Sequence, residues 1–207
     1  MILREDYLLF AKAEVNMKKI DYLFCLLLCL SVSSCLEDFD DNYISIFDDV
    51  AFINTYGGTQ EDRIVSIVET SDGNLVLFGY TNSIDGDITD KTLQENDYWL
   101  LKMTPEGNKL WSKTYGGSGD DVGQKVVVTN DGGFAITGYS MSSDGDASNN
   151  EGFHDNWLLK LDTNGDILWE KSYGFSGHDH AYSIIQTSDG GFLMTGFLDV
   201  TASGGLG

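Results

Sequence analysis

Three copies of one phrase limit what this chain can fold into. Thr55 Tyr56 Gly57 Gly58 returns as Thr114 Tyr115 Gly116 Gly117 and, altered, as Ser172 Tyr173 Gly174 Phe175, at steps of 59 and 58 residues. Other landmarks keep the same step. Asp72 Gly73 returns as Asp131 Gly132 and Asp189 Gly190, Gly79 as Gly138 and Gly196, and Asp85 Gly86 Asp87 as Asp144 Gly145 Asp146. Trp99 Leu100 Leu101 Lys102 matches Trp157 Leu158 Leu159 Lys160, and Trp111 Ser112 Lys113 matches Trp169 Glu170 Lys171. A fixed period of this size marks structural units that bury their apolar faces by stacking on neighbours, as in solenoids, propellers and arrays.

Within one period every local signal is β. Lys109 to Tyr115, Gln124 to Thr129, Gly133 to Tyr139 and Asn156 to Leu161 are short runs rich in Val, Ile, Trp, Tyr and Thr, punctuated by Gly, Asn and Asp. Asn130 Asp131 Gly132 Gly133 reads as a tight hairpin between the second and third runs. Asn164 Gly165 reads as a hairpin between the fourth run and the first of the next repeat. No helix of useful length is predicted after residue 35. The fold class expected is all-β, a partial β-propeller of tandem four-stranded antiparallel blades. The repeats run over about residues 50–108, 109–165 and 166–207, the last one truncated. This period exceeds the roughly 40–50 residues of familiar propeller repeats. The surplus falls in the loop between strands three and four, residues 82–96 and 140–155.

Thr114 Tyr115 Gly116 Gly117 Ser118 Gly119 Asp120 Asp121, with Asn130 Asp131 Gly132 Gly133 Phe134 and Thr137 Gly138 Tyr139, resembles the bacterial beta-propeller repeat of exported and cell-surface proteins. The Asp144 Gly145 Asp146 loop and the Asp155 Asn156 Trp157 Leu158 Leu159 Lys160 strand resemble the longer repeats of surface lipoproteins. The resemblance covers about residues 50–200. It implies a fold strongly and an activity hardly at all, since some such proteins carry endoglucanase or lectin-like labels without a matching active site. Between two and three blades fall short of a ring of at least four, so an open apolar final edge is expected, with self-association through it. The ring is then completed by a longer gene product, of which this chain is a fragment, or by further chains.

The first 35 residues read as an address. Lys18 and Lys19 precede the apolar run Tyr22 to Leu30, and Ser31 Val32 Ser33 Ser34 Cys35 follows, in the order of a lipoprotein signal peptide over residues 1–34. The nine apolar residues make about 14 Å of helix, too short to span a bilayer. Val32 Ser33 Ser34 Cys35 resembles the bacterial lipobox, in which the cysteine becomes the lipid-modified first residue. Glu5, Asp6 and Glu14 do not suit a signal peptide, so Met17 is the expected start. Cys25 and Cys29 leave with the signal, and no disulfide is expected. The run Glu37 Asp38 Phe39 Asp40 Asp41, within a tether over residues 35–49, looks like the signals that export lipoproteins to the outer face of a Gram-negative outer membrane.

Acidic residues number 33 against 12 basic ones, a net charge of −21. Such a surface repels phosphate backbones, which excludes nucleic acid as a partner.

Asp62, Asp121 and Asp179 share one repeat position after the first strand, where a carboxylate accepts backbone N–H bonds and fixes a loop. Asp85, Asp87 and Asp90, and Asp144 and Asp146 with Asn149 and Asn150, offer oxygen ligands on loops and are candidate calcium ligands, although they lack the full EF-hand spacing. Asp162 Thr163 Asn164 Gly165 Asp166 reads as a plain hairpin turn. Trp99, Trp111, Trp157 and Trp169 suit packing between blades better than sugar stacking, while Tyr80, Tyr139 and Phe197 are placed to reach the long loop. His178 Asp179 His180 could face a metal, but the sequence identifies no third ligand, so the pair reads as incidental. Ser118 and Ser176 miss the Gly-x-Ser-x-Gly nucleophile elbow, and Gly116 to Gly123 carries Asp120 and Asp121 where a phosphate cradle needs lysine.

No catalytic residue is assigned. The expected function is a non-enzymatic cell-surface lipoprotein, anchored to the membrane through Cys35, whose loops bind a glycan or protein ligand. The alternatives are an endoglucanase-like carbohydrate-active enzyme or its accessory module, and a gene fragment with no function of its own. Recurrence of the same acids in each repeat argues against a single asymmetric catalytic site.

Overall fold

A computed structural model describes residues 8–13 and 50–199. Cys35, the acidic run after it and all of the expected leader over residues 1–34 except residues 8–13, which form a strand, lie outside the described residues. Those described contain twelve strands and no helix long and apolar enough to cross a membrane. β1 (Leu8–Ala13) and β2 (Val50–Tyr56) form a two-stranded sheet of their own. The strands that follow build the repeat region.

β3 (Asp62–Glu69), β4 (Leu75–Thr81), β5 (Asp97–Met103) and β6 (Lys109–Tyr115) form one four-stranded antiparallel sheet in chain order. β7 (Asp121–Val128), β8 (Phe134–Ser140), β9 (Asp155–Leu161) and β10 (Ile167–Tyr173) form a second of the same design. β11 (His180–Gln186) and β12 (Phe192–Phe197) form a two-stranded antiparallel sheet. The four predicted strands match β6 to β9 to within three residues, but they do not make one sheet. The Asn164 Gly165 turn, closed by Asp162 N–H donating to Asp166 O at 2.9 Å, folds β10 back beside β9. The Tyr-Gly-Gly segment is instead the passage from one sheet to the next. Each sheet therefore ends on the first strand of the following sequence repeat, and the sheets are offset from the repeats by one strand.

The inner hairpins share one chemistry. In the second, Thr129 N–H donates to Gly133 O at 2.9 Å, and Asp131 accepts from Thr129 Oγ1 at 2.5 Å and from Gly133 N–H at 3.1 Å. Gly132 sits there at φ 82°, and Gly73 and Gly190 repeat it at 79° and 86°, the left-handed region that favours glycine. Gly79, Gly138 and Gly196 recur for another reason. Each lies opposite a bulge in the first strand of its sheet, where a Cβ would overlap the carbonyl oxygen of Arg63, Val122 or His180.

Successive sheets pack face to face. Val76, Phe78, Tyr98 and Leu100 of the first meet Val126, Phe134, Ile136, Trp157 and Leu159 of the second in one buried cluster. Tyr98 meets Phe78 edge-on at 5.3 Å and Trp157 at 4.7 Å, and its hydroxyl donates to Trp157 O at 3.1 Å. Ala135 and Leu158 meet Ile184 at the next junction. The middle strands are buried on both faces, so they read as nearly unbroken apolar runs, with Trp99 and Trp157 fully buried. Trp111 packs edge-on against Phe134 at 6.3 Å, and Trp169 against Phe192 at 5.7 Å, which is the packing role the sequence favoured. The far face of β11 and β12 leaves Tyr182, Ile185, Leu193 and Phe197 about half exposed.

Candidate functional site

The passages between sheets and the long loops meet at one end of the sheets, and the repeat's acids hold them together. Five consecutive amides donate to side chains there: Gly57 N–H to Asp87 Oδ2 at 3.0 Å, Gly58 to Asp62 Oδ2 at 2.8 Å, Thr59 to Asp85 Oδ1 at 2.8 Å, Gln60 to Ser83 Oγ at 2.9 Å and Glu61 to Asn82 Oδ1 at 2.8 Å. The next repeat reproduces four of these, from Gly116 to Asp146, Gly117 to Asp121, Ser118 to Asp144 and Gly119 to Ser142, at 2.7–3.2 Å. Asp179 takes the same part by accepting from Phe175 N–H at 2.6 Å. Asp62, Asp121 and Asp179 thus fix their loops as their position implied.

The candidate calcium ligands are engaged in the same way. Asp85 accepts from the amide and hydroxyl of Thr59, Asp90 from the amide and hydroxyl of Thr114, and Asp87 from Gly57 N–H and Lys109 Nζ. Asp144 and Asp146 turn to Ser118 and Gly116. Among the described residues these five acids do not converge as a group of three ligands. Loop amides supply positive partial charge to these carboxylates.

Two clefts lie at repeat-related places. One, of about 170 Å³, is lined by Asp90, Lys91, Asp97, Thr114, Gly116 and Asp146. Lys91 Nζ lies 3.4 Å from Asp97 Oδ2 and donates to Thr81 O at 3.0 Å. Burial pushes the Asp97 carboxyl well up, more than Lys91 pulls it down, and burial raises Asp121 to about 6. The other, of about 400 Å³, is lined by Asn149, Glu151, Asp155, Ser172, Tyr173 and Phe175. Asn150 takes the place of Lys91 there and donates to Ser140 O at 2.8 Å. The larger cleft therefore keeps two carboxylates with no cation among its lining residues, and Asp155 Oδ1 is buried without a hydrogen-bond partner.

His154, His178 and His180 form the one group of three metal-competent side chains among the described residues, with a ring nitrogen of each within 4.8 Å of the others. Sequence reasoning found two of them and missed His154, which stands 24 residues before His178 and carries no motif. Its signal was topological. Asp179 N–H donates to His154 O at 2.7 Å, as Asp121 N–H donates to Asn96 O at 2.6 Å, so the loop before β9 lies beside the start of β11.

Burial and the two neighbouring imidazoles hold His154 down to about 4, and burial also lowers His180. Tyr139 stacks on His180 with centroids 4.0 Å apart. Of the three aromatics that the sequence placed near the long loop, Tyr139 is the one that reaches this cluster.

No family model and no curated protein matches the chain. Among solved structures, a protein of unknown function from Bacteroides caccae is similar at 14% identity with a TM-score of 0.43, over 72% of this chain and 43% of that one. The chain thus spans less than half the length of that protein.

Proposed function

We propose that this chain is a cell-surface lipoprotein, anchored through Cys35, whose repeat sheets are blades of a β-propeller that present their loop end to an extracellular saccharide without catalysis. The larger cleft carries this reading. It is lined by the aromatic residues Tyr173 and Phe175 together with Glu151, Asp155 and Asn149, a combination of aromatic surface and hydrogen-bonding groups that suits hydroxyl-rich rings. Recurrence of the same acids around Gly116 and Gly174 supports a scaffold over a single catalytic pair. Face-to-face stacking of successive sheets supports the propeller, and a further blade or a second copy of the chain covers the apolar far face of β11 and β12.

Binding of the purified protein to a panel of soluble oligosaccharides tests the ligand. Tyr173→Ala and Glu151→Gln are expected to weaken binding of the best oligosaccharide roughly tenfold or more, as loss of a hot-spot aromatic or charged hydrogen bond does. Unaltered binding in both variants would remove the cleft from consideration. Cys35→Ser is expected to shift the protein from the membrane fraction to the soluble one, and unchanged partitioning would refute the anchor.

A further inference from the structure

The chain has three histidines, and the fold brings all three to one point. His178 Nδ1 and His180 Nε2 both lie 2.8 Å from His154 Nδ1. A neutral imidazole Nδ1 has one N–H or one lone pair, so His154 Nδ1 fully satisfies one such neighbour and leaves the other to share that single site or go without. Three nitrogens aimed at one another are poorly served by hydrogen bonds alone, and a cation among them resolves the conflict.

The sheet junction before this one shows that the scaffold does not require histidine at these places. Asn96 and Asp120 occupy the places of His154 and His178, and Asn96 donates from its amide N–H and from Nδ2 to Asp120 Oδ1, at 3.0 and 3.1 Å. Val122 stands where His180 does. A clasp of asparagine and aspartate thus joins the first two sheets, and three imidazoles replace it at the next junction, which makes the cluster a local feature.

The rings are also held in place. His154 N–H donates to Gly177 O at 3.3 Å, and His154 forms an isolated parallel bridge with His178. His180 opens β11 and pairs with Phe197. Tyr139 stacks on His180, and Phe153 stacks on His178 at 5.2 Å. His178 is exposed and the other two are half-buried, so the group is reachable from solvent.

We propose that His154, His178 and His180 bind a divalent transition-metal ion of the zinc class, which staples the loop before β9 to the start of β11 and keeps a fourth coordination position open to solvent or an external donor. An all-imidazole set suits zinc, cobalt, nickel or copper and disfavours calcium and magnesium, which take oxygen. Tetrahedral zinc at 2.0–2.1 Å from each nitrogen needs nitrogens about 3.3 Å apart. To reach that, the two 2.8 Å contacts open by about half an ångström, and the His178 and His180 nitrogens, which lie within 4.8 Å of each other, settle near the same separation. The site stands apart from the saccharide reading, and either can fail alone.

The test is titration of the full chain, purified in detergent, with Zn(II) by calorimetry and with Co(II) by its visible absorption. The wild type is expected to bind one ion per chain, with the intense visible bands of tetrahedral cobalt. His154→Asn with His178→Asp rebuilds the clasp of the preceding junction and so keeps the fold, while removing two ligands. That double variant and the single change His180→Val, the residue found at the preceding junction, are expected to weaken binding at least about a hundredfold. Absence of a one-to-one complex in the wild type, or equal binding by both folded variants, would overturn the proposal.

Discussion

Tyr115, the last residue of β6, donates its hydroxyl hydrogen to the carbonyl oxygen of Gly165 at 2.7 Å, in the hairpin turn of the following sheet. Tyr56 makes the same bond to Gly107, one repeat earlier. The tyrosine of the repeated phrase is thus a latch from the end of one unit to the outer turn of the next. The bond in the second repeat is buried, so little water competes for it.

Tyr115→Phe keeps the ring and removes the latch, leaving the Gly165 carbonyl without this donor. The expected loss is about 1–3 kcal/mol of unfolding free energy, measured by urea denaturation. A change below about 0.5 kcal/mol would show that the bond contributes nothing net.

Gly138→Ala places a methyl group on the Val122 carbonyl at the β7 bulge. The obstacle is backbone, so the strand pair must separate, at an expected cost of about 3 kcal/mol or more. Gly190→Ala meets no neighbouring atom and is strained only through its φ of 86°, with an expected cost near about 1 kcal/mol. Equal melting temperatures for the two variants would contradict the close-approach explanation of the repeat's glycines.

The buried carboxyls of Asp97 and Asp121 set a pH dependence. Their proton affinity is higher folded than unfolded, and Asp121 reaches about 6 against a usual 3.8, so the folded chain binds more protons in that interval. Their contribution to stability therefore falls as pH rises from about 4 through about 6. Asp131, held down to about 2 by Thr129, Lys160 and the hairpin amide, has the opposite sign, and its contribution is lost as pH falls below about 4. Lowered His154 and His180 oppose the two carboxyls over the same interval, so the carboxyl contribution is read by difference: Asp121→Asn is expected to gain stability relative to the wild type as pH rises from about 4 to about 6. A stability difference between Asp121→Asn and the wild type that stays constant from about pH 4 to 7 would contradict the assignment of Asp121.

The strands, the hairpins and the loop-fixing role of Asp62, Asp121 and Asp179 were legible because short β-rich runs, turn dipeptides and a three-fold repeat all point one way. Which strands share a sheet was not. The repeat period is blind to phase, and only the turn at Gly165 and the passage at Gly116 show that β10 belongs with β9. For the acids of the Asp-Gly-Asp loops, sequence shows oxygen donors and hides the loop amides that the structure brings to them. The place of His154 in the cluster was invisible, since its partners are joined to it by sheet stacking and by no motif.

Thermal unfolding of the full chain with zinc, with calcium and with neither separates the histidine cluster from the carboxylate loops in one experiment. Zinc at a hundredfold excess over its dissociation constant should stabilise by about 2.7 kcal/mol, a rise of roughly 5–10 °C, and lose that effect in the His154→Asn, His178→Asp variant. Calcium should leave both proteins unchanged. A calcium-dependent rise with none from zinc would contradict both the histidine site and the loop-fixing role of Asp85, Asp87, Asp90, Asp144 and Asp146.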